Sequence, residues 1–239
     1  ALRASFSIIH SLPASAPSGA LLPPMPVVAV AQALTVVVPG LPFEVLVHEI
    51  EVGERLSLPA GIELTVGQAN HRDRCFFYRI DRARERRFDF ERARAAGIPV
   101  QLWSRLQRGD SIEWDGAHLD AEGFMGPERR GISMGFVTDT RPLPEMAALL
   151  RDVDLLICEG TYGDDAHMDR AIQKTHMTFR EAATIARDAQ ARALWLTHFS
   201  PAMADPNAFL GNATAVFPNT TVGYSGLQMT LAFPDDSGS

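Results

Sequence analysis

Three apolar segments, each followed by a polar residue, constrain the fold of this chain more than any other feature. They are Ile132 to Thr138 (ISMGFVT), Val153 to Cys158 (VDLLIC) and Ala193 to Thr197 (ALWLT). Nearly continuous apolar runs of this length are typical of strands that are covered on both faces. Predicted helices lie between them, at Pro144 to Arg151 and Thr178 to Ala191, and the second begins with the capping-box pattern TFRE. The alternation predicts an α/β domain.

Further strands and two short helices are predicted upstream of these segments. The strand-like segments are Phe43 to Glu51, Gly61 to Val66 and Phe76 to Ile80. The helices are Phe88 to Ala96, which Gly97 and Pro99 end, and Val100 to Gln107. We therefore predict that residues 81–109 form an inserted, basic helical arm.

The charge of the chain is unevenly distributed. The net charge of −7 over 239 residues excludes a uniformly basic nucleic-acid binder, but residues 72–108 carry eleven arginines against five acidic residues. In one interpretation these arginines form a solvated helix face. In the other they contact the phosphates of a nucleic acid. The arginines predicted to bind in that second case are Arg82, Arg84, Arg86, Arg87, Arg92 and Arg94.

The first 43 residues contain one charged side chain, Arg3, and seven of the sixteen prolines. We interpret residues 1–31 as anomalous, either disordered or mistranslated. The longest apolar segment, Pro26 to Val38, is too short to span a bilayer, and no basic region precedes a clean apolar run, so we expect neither a membrane span nor a signal peptide. Cys75 and Cys158 form no CxxC motif, which favours a reducing, cytoplasmic setting.

Residues that can bind metals or transfer protons follow all three buried strands. Asp139, Glu159 and His198 each follow one of them. A single such residue is usually a loop cap or a surface group, but sites form where the carboxyl ends of several strands meet. His71, before the strand at Phe76, and His176, before a capped helix, are further candidates. Histidines with carboxylates suit a divalent metal such as zinc.

Four segments resemble, in order and spacing, the carboxyl-terminal half of ribonuclease Z, the tRNA 3′-processing branch of the metallo-β-lactamase fold. They are GFVTDTRP, LLICEGTYGDD, KTHMTFREAA and LWLTHFSP. The segments HRDRCFFYRI, FDFERARAAGIP and LQRGDSIEWDG extend the resemblance to about residues 40–233. It implies an α/β, metallo-β-lactamase-like αββα sandwich, with residues 1–239 as a single domain that is incomplete at its amino terminus.

The resemblance also implies roles for the five candidate residues. His71 would bind one zinc ion, Asp139 would bridge two zinc ions, and His198 would bind the second. Glu159 and His176 would form a proton-handling pair near the leaving group. The implied activity is metal-dependent cleavage of RNA at the 3′ end of tRNA precursors by a zinc-activated water. The arm would bind the RNA, and a cytoplasmic homodimer is the expected assembly.

The sequence departs from the family pattern in three places. The HxHxDH motif, which supplies most of the metal ligands, is absent, and we expect it upstream of residue 1. With three of the usual seven ligands, the chain alone is expected to hold at most one weakly bound metal. The arm reads GIPVQLW without the family's Gly-Pro pair, and Gly223-Tyr224-Ser225 stands where an acidic residue is expected. Two alternatives stay open: a hydrolase of the same fold that acts on a small ester or phosphodiester, and an inactive truncated fragment.

Overall fold

A seven-stranded mixed sheet forms the centre of the structure, a computed structural model that describes residues 2–5, 50–72 and 75–234. The strands in chain order are β1 (Leu2–Ser5), β2 (Arg55–Leu58), β3 (Ile62–Gln68), β4 (Phe76–Arg84), β5 (Ile112–Trp114), β6 (Ala117–Leu119), β7 (Arg129–Val137), β8 (Leu155–Glu159), β9 (Leu194–Thr197), β10 (Thr220–Val222) and β11 (Gln228–Leu231). The helices are α1 (Phe90–Ala95), α2 (Val100–Gln107), α3 (Pro144–Leu149), α4 (Met168–Lys174), α5 (Phe179–Asp188) and α6 (Leu210–Thr214). Single 3₁₀ turns occur at Pro59–Gly61, Ala121–Phe124, Asp165–His167 and Pro206–Phe209.

The large sheet has the order β10-β9-β8-β7-β4-β3-β2. Strands β7 to β10 are parallel to one another, whereas β2, β3, β4 and β7 pair in antiparallel fashion. The three apolar segments of the sequence are therefore the parallel strands β7, β8 and β9. Because these strands are parallel, their carboxyl ends lie at one edge of the sheet.

Both faces of the parallel part of the sheet are covered. On one face, α3, α5 and α6 pack on β8 and β9 through a core that includes Leu156, Phe179 and Leu196. On the other face, Ile157 and Trp195 pack in a cluster with Leu231 of β11. All five residues of β8 are buried, which explains the uninterrupted apolar run in its sequence.

The arm differs from its predicted bounds. β4 continues through Arg84, where it is paired with Arg129 of β7, so Arg82 and Arg84 belong to the sheet and the helices start only at Phe90. The inserted part also extends beyond residue 109, because it includes the β5–β6 hairpin and the turn at 121–124. We call residues 85–126 the arm lobe. It has a core of its own, formed by Phe88, Ala93, Ile98, Leu106, Ile112, Ala121 and Phe124.

Two predictions fall largely on residues outside the described ranges. Of the predicted strand 43–51, only residues 50 and 51 are described, and they lie outside any strand. Of residues 1–31, only β1 is described, and it pairs in antiparallel fashion with β11. Within the described ranges, no helix has the length and apolar character needed to cross a membrane.

Candidate metal centre

The carboxyl edge of the parallel strands brings the predicted site residues together. Asp139 follows β7 by two residues, Glu159 ends β8, and His198 directly follows β9. His71 follows Asn70, which forms an isolated bridge with Arg141 just beyond Asp139. His176 lies between α4 and α5. All five predicted residues therefore lie in loops or strand ends at this edge of the sheet.

Asp139 and His198 are in direct contact. The Nε2 atom of His198 lies 2.9 Å from Oδ1 of Asp139. This hydrogen bond, assisted by neighbouring imidazoles, holds the pKa of the Asp139 carboxyl below its usual value although burial opposes the change. The same bond raises the pKa of His198. Both residues have positive φ, 50° and 55°, which turns the chain sharply where the strands end.

The ring of His176 lies close to those of both other histidines. Its centroid is 5.2 Å from that of His71 and 5.3 Å from that of His198. One potential ligand atom from each of His71, Asp139 and His176 lies within 4.8 Å of the others. Imidazole nitrogens and a carboxylate oxygen converging at this spacing fit a divalent transition metal. The residues present therefore suit a metal, but the triad differs from the predicted ligand set: it contains His176, predicted to handle protons, whereas the predicted ligand His198 is in contact with Asp139.

Glu159 is a fully buried carboxylate that accepts several hydrogen bonds. Its Oε1 accepts from the backbone N–H of Thr140 at 2.6 Å, and its Oε2 accepts from the hydroxyl of Thr161 at 2.7 Å and from the N–H of Met177 at 3.2 Å. The Nδ1 atom of His176 lies 3.1 Å from Oε1 and 3.2 Å from Oε2. These contacts fix the position of the carboxylate and the orientation of the His176 ring.

The sequence analysis did not predict the residues that position the Glu159 carboxylate, nor the residue that holds the loop carrying His176. Thr140 and Thr161 each lie next to or near a predicted site residue, and that proximity is the only signal for them in the sequence. Arg141 was also missed. Its guanidinium donates a hydrogen bond to the carbonyl oxygen of His176 at 2.6 Å. It also forms a bidentate ion pair with Glu181, the capping-box residue of α5. It therefore joins the loop after β7 to the loop that carries His176.

We expect Arg141→Met to lower the free energy of unfolding by about 2–3 kcal/mol, because the substitution leaves the largely buried Glu181 without its partner. Arg187→Met is the matched control, since the guanidinium of Arg187 pairs with the exposed Asp188. That variant is expected to change stability by about 0.5 kcal/mol or less. Urea denaturation measures both values. Equal losses in the two variants would show that Arg141 does not link the loops.

The six arginines predicted to bind RNA do not share one environment. The guanidinium groups of Arg82 and Arg84 lie 5.7 Å and 5.4 Å from the ring centroid of Phe233. Arg86 donates to the carbonyls of Met125 and Gly126, Arg92 donates to that of Gly123, and Arg94 pairs with Glu91. Arg87, Arg92 and Arg94 are exposed on the arm lobe. Their role in RNA binding stays a prediction.

Comparison with known proteins places this site in a family. A profile described as "Beta-lactamase superfamily domain" matches residues 79–199, a range that includes Asp139, Glu159, His176 and His198. A ribonuclease Z of Clostridium tetani is 36% identical over 223 residues, covering 89% of this chain and 72% of the relative. The chain belongs to the ribonuclease Z family. A ribonuclease Z of Lachnoclostridium phytofermentans is 37% identical over 85% of this chain and 67% of the relative.

Membership of the ribonuclease Z family confirms the predicted metallo-β-lactamase fold and the predicted class, a metallo-hydrolase. Among solved structures, the short form of human tRNase Z has 18% identity and a TM-score of 0.45, covering 75% of this chain and 47% of that one. The metallo-β-lactamase fold protein YhfI of Bacillus subtilis has 18% identity and a TM-score of 0.49, covering 76% of this chain and 54% of that one.

Proposed function

We propose that this chain of the ribonuclease Z family hydrolyses a phosphodiester bond at the 3′ end of tRNA precursors, with zinc as its metal. The observation that carries the proposal is the juxtaposition of two units at one sheet edge. One comprises Asp139 with its neighbours His71, which has a potential ligand atom within 4.8 Å of one of Asp139, and His198, whose Nε2 lies 2.9 Å from its Oδ1. The other is the buried pair Glu159–His176. The names of the relatives, all ribonuclease Z, support RNA as the substrate.

The imidazoles of His71 and His198 and the carboxylate of Asp139 would hold the zinc. When bound, the metal supplies Lewis-acid activation of a water and of the phosphoryl oxygens. The low pKa of Asp139 keeps its carboxylate anionic and therefore able to bind a cation. These three residues come from three different loops, which the parallel strands and the β3–β4 connection hold in place.

Glu159 and His176 would handle the proton of the leaving group. Because Nδ1 of His176 faces Glu159, Nε2 is the nitrogen that can donate to the leaving oxygen. Glu159 itself has no exposed surface, so it acts by orienting the imidazole and stabilising its charge. The backbone N–H groups of Thr140 and Met177 prevent Glu159 from turning away.

The second candidate function is hydrolysis of a small ester or phosphodiester. It is favoured by the intrachain hydrogen bonds that Arg86 and Arg92 make within the arm lobe, since these hold part of the basic surface in place. The two functions differ in what the arm lobe does. An RNA enzyme uses the lobe to bind its substrate, whereas a small substrate reaches the sheet edge without it.

Replacing the lobe by a short turn separates the two functions. Because Arg84 and Arg129 are paired across β4 and β7, residues 85–126 can be exchanged for a Gly-containing turn without cutting either strand. We expect KM for a 3′-extended tRNA precursor to rise at least about tenfold, because several contacts to its phosphates are lost. Turnover of bis(p-nitrophenyl) phosphate is expected to persist and serves as the control. Unchanged kinetics on the RNA would favour the small-substrate hydrolase.

The homodimer and the cytoplasmic setting are further proposals that rest on the family resemblance. Sedimentation equilibrium of the chain tests the first, with a mass near twice 26.1 kDa as the expected result.

A further inference from the structure

An open groove of about 710 Å³ lies beside the candidate metal centre. It is bounded by the residue after His198, by the turn and helix start at 206–210, and by the end of β10. Its lining includes the apolar side chains of Phe199, Leu210 and Val222 and the polar side chains of Asn207, Thr221 and Ser225. None of the described residues that line it is charged, so the groove suits a neutral group and not a phosphate.

Tyr224 stands at this groove, next to the strand that carries His198. β9 and β10 are parallel, and their last paired residues are Leu196 and Val222. His198 and Tyr224 each lie two residues beyond that pair, and neighbouring strands are about 4.7–4.9 Å apart. The N–H of Gly223 donates to the carbonyl of Leu196 at 2.8 Å, so the two chains stay together past the end of the sheet.

The close approach at Gly223 depends on its lack of a side chain. A Cβ atom there would lie 2.7 Å from the carbonyl oxygen of Leu196, closer than van der Waals contact allows. Glycine at this position therefore holds the Tyr224 segment against the strand end that precedes His198. The position of the Tyr224 backbone is therefore fixed by the packing of Gly223 against Leu196.

Tyr224 is 59% exposed, more than any other Phe, Trp or Tyr in the described part of the chain. An exposed aromatic ring beside apolar walls and uncharged hydrogen-bonding groups matches the surface of a nucleobase, which has flat π faces and polar edges. The adjacent His71, Asp139 and His198 are where the proposed function places the charged phosphate of the same nucleotide. The neutral groove and the charged cluster thus correspond to the two parts of a nucleotide.

We propose that this groove binds the base of a nucleotide that flanks the scissile phosphate, with the Tyr224 ring as its stacking surface. The inference rests on the proposed action on RNA, and it adds a base-binding subsite to it. Asn207, Thr221 and Ser225 offer hydrogen bonds to the edge of the base. Stacking accepts any base, so the subsite positions the RNA without demanding one sequence.

The test is the affinity of the full chain for RNA, measured by fluorescence anisotropy with EDTA present to prevent cleavage. The probes are a 3′-extended tRNA precursor and two copies of it, each with one abasic nucleotide on one side of the cleavage position. Tyr224→Ala is expected to weaken binding of the intact RNA by about 5-fold to 150-fold, the usual range for one stacked base. With one of the two abasic RNAs, the same substitution is expected to have no effect. Tyr224→Phe keeps the ring and is expected to change affinity less than about twofold.

Any other outcome overturns the inference, and the result shows whether the subsite alone or the proposed function also fails. If Tyr224→Ala weakens all three RNAs equally, or none of them, Tyr224 stacks no base while the proposed function stands. If the substitution changes the oligomeric state instead of RNA affinity, the groove binds a second copy of this chain. If the unsubstituted chain binds none of the RNAs, the proposed function fails together with the subsite.

Discussion

Asparagine in place of Asp139 is expected to lower the rate of RNA cleavage by more than about 100-fold. Mutating a residue that only contacts a metal ligand typically lowers metal affinity or activity by about 10- to 100-fold, and the proposed function makes Asp139 a ligand itself. Asparagine is preferable to alanine here because Asp139 has a φ of 50°, a left-handed conformation that asparagine tolerates. The substitution removes the charge that pairs with His198 and leaves the backbone unstrained.

Asp152→Asn is the matched control for this experiment. Asp152 also has a positive φ, 58°, but it lies before β8, at the opposite end of the sheet from the site. Initial rates on a 3′-extended tRNA precursor in zinc-containing buffer compare the two variants. Asp152→Asn is expected to cleave at the rate of the unsubstituted chain. Equal rates in the Asp139 and Asp152 variants would remove Asp139 from the site.

Glutamine in place of Glu159 is expected to affect both catalysis and stability. The amide has one acceptor oxygen where the carboxylate has two, so at least one of the groups that donate to Glu159 loses its partner. A buried donor left without a partner costs about 1–3 kcal/mol of unfolding free energy. Since the His176 ring also loses the carboxylate that orients it, kcat is expected to fall on the order of 10²- to 10⁴-fold.

Glu128→Gln provides the comparison for Glu159→Gln, because Glu128 is exposed. It is expected to leave kcat unchanged and to alter the unfolding free energy by about 0.5 kcal/mol or less. Urea denaturation and single-turnover kinetics measure the two effects. A Glu159 variant that loses stability but keeps kcat would mean that the carboxylate supports the fold and has no part in proton transfer.

The local elements of this fold could be predicted from the sequence because local patterns determine them. Val100–Gln107 forms the helix that its apolar spacing and Gly109 predict. The capping box at Thr178 and Glu181 is present at the start of α5. Helix ends of this kind depend on hydrogen bonds between residues three or four apart, so they are visible in a single short segment.

The arm was harder to predict because its limits depend on a distant strand. Arg82 and Arg84 read as part of a charged helical segment, but pairing with β7, about 50 residues away, extends β4 to include both of them. The contacts that organise the site are also non-local. Arg141 reaches Glu181 across 40 residues, and Thr140 reaches Glu159 across 19. No spacing pattern in the sequence predicts such contacts.

The strand-end residues were found because parallel topology brings the carboxyl ends of neighbouring strands together, whatever lies between them in sequence. That rule placed Asp139, Glu159 and His198 at one edge. It could not show that the ring of His176 lies close to those of both His71 and His198, since the loop that carries His176 is held by Arg141.

Zinc titration of the 239-residue chain, monitored by competition with a chromophoric chelator, tests the central claim most directly. The claim is that the edge formed by His71, Asp139 and His198 is a metal site. We predict binding of one zinc ion per chain, and affinity at least tenfold weaker in His198→Asn, a substitution that the positive φ of His198 tolerates. Absence of zinc binding, or equal affinity in the chain and the variant, would contradict the claim and favour an inactive fragment.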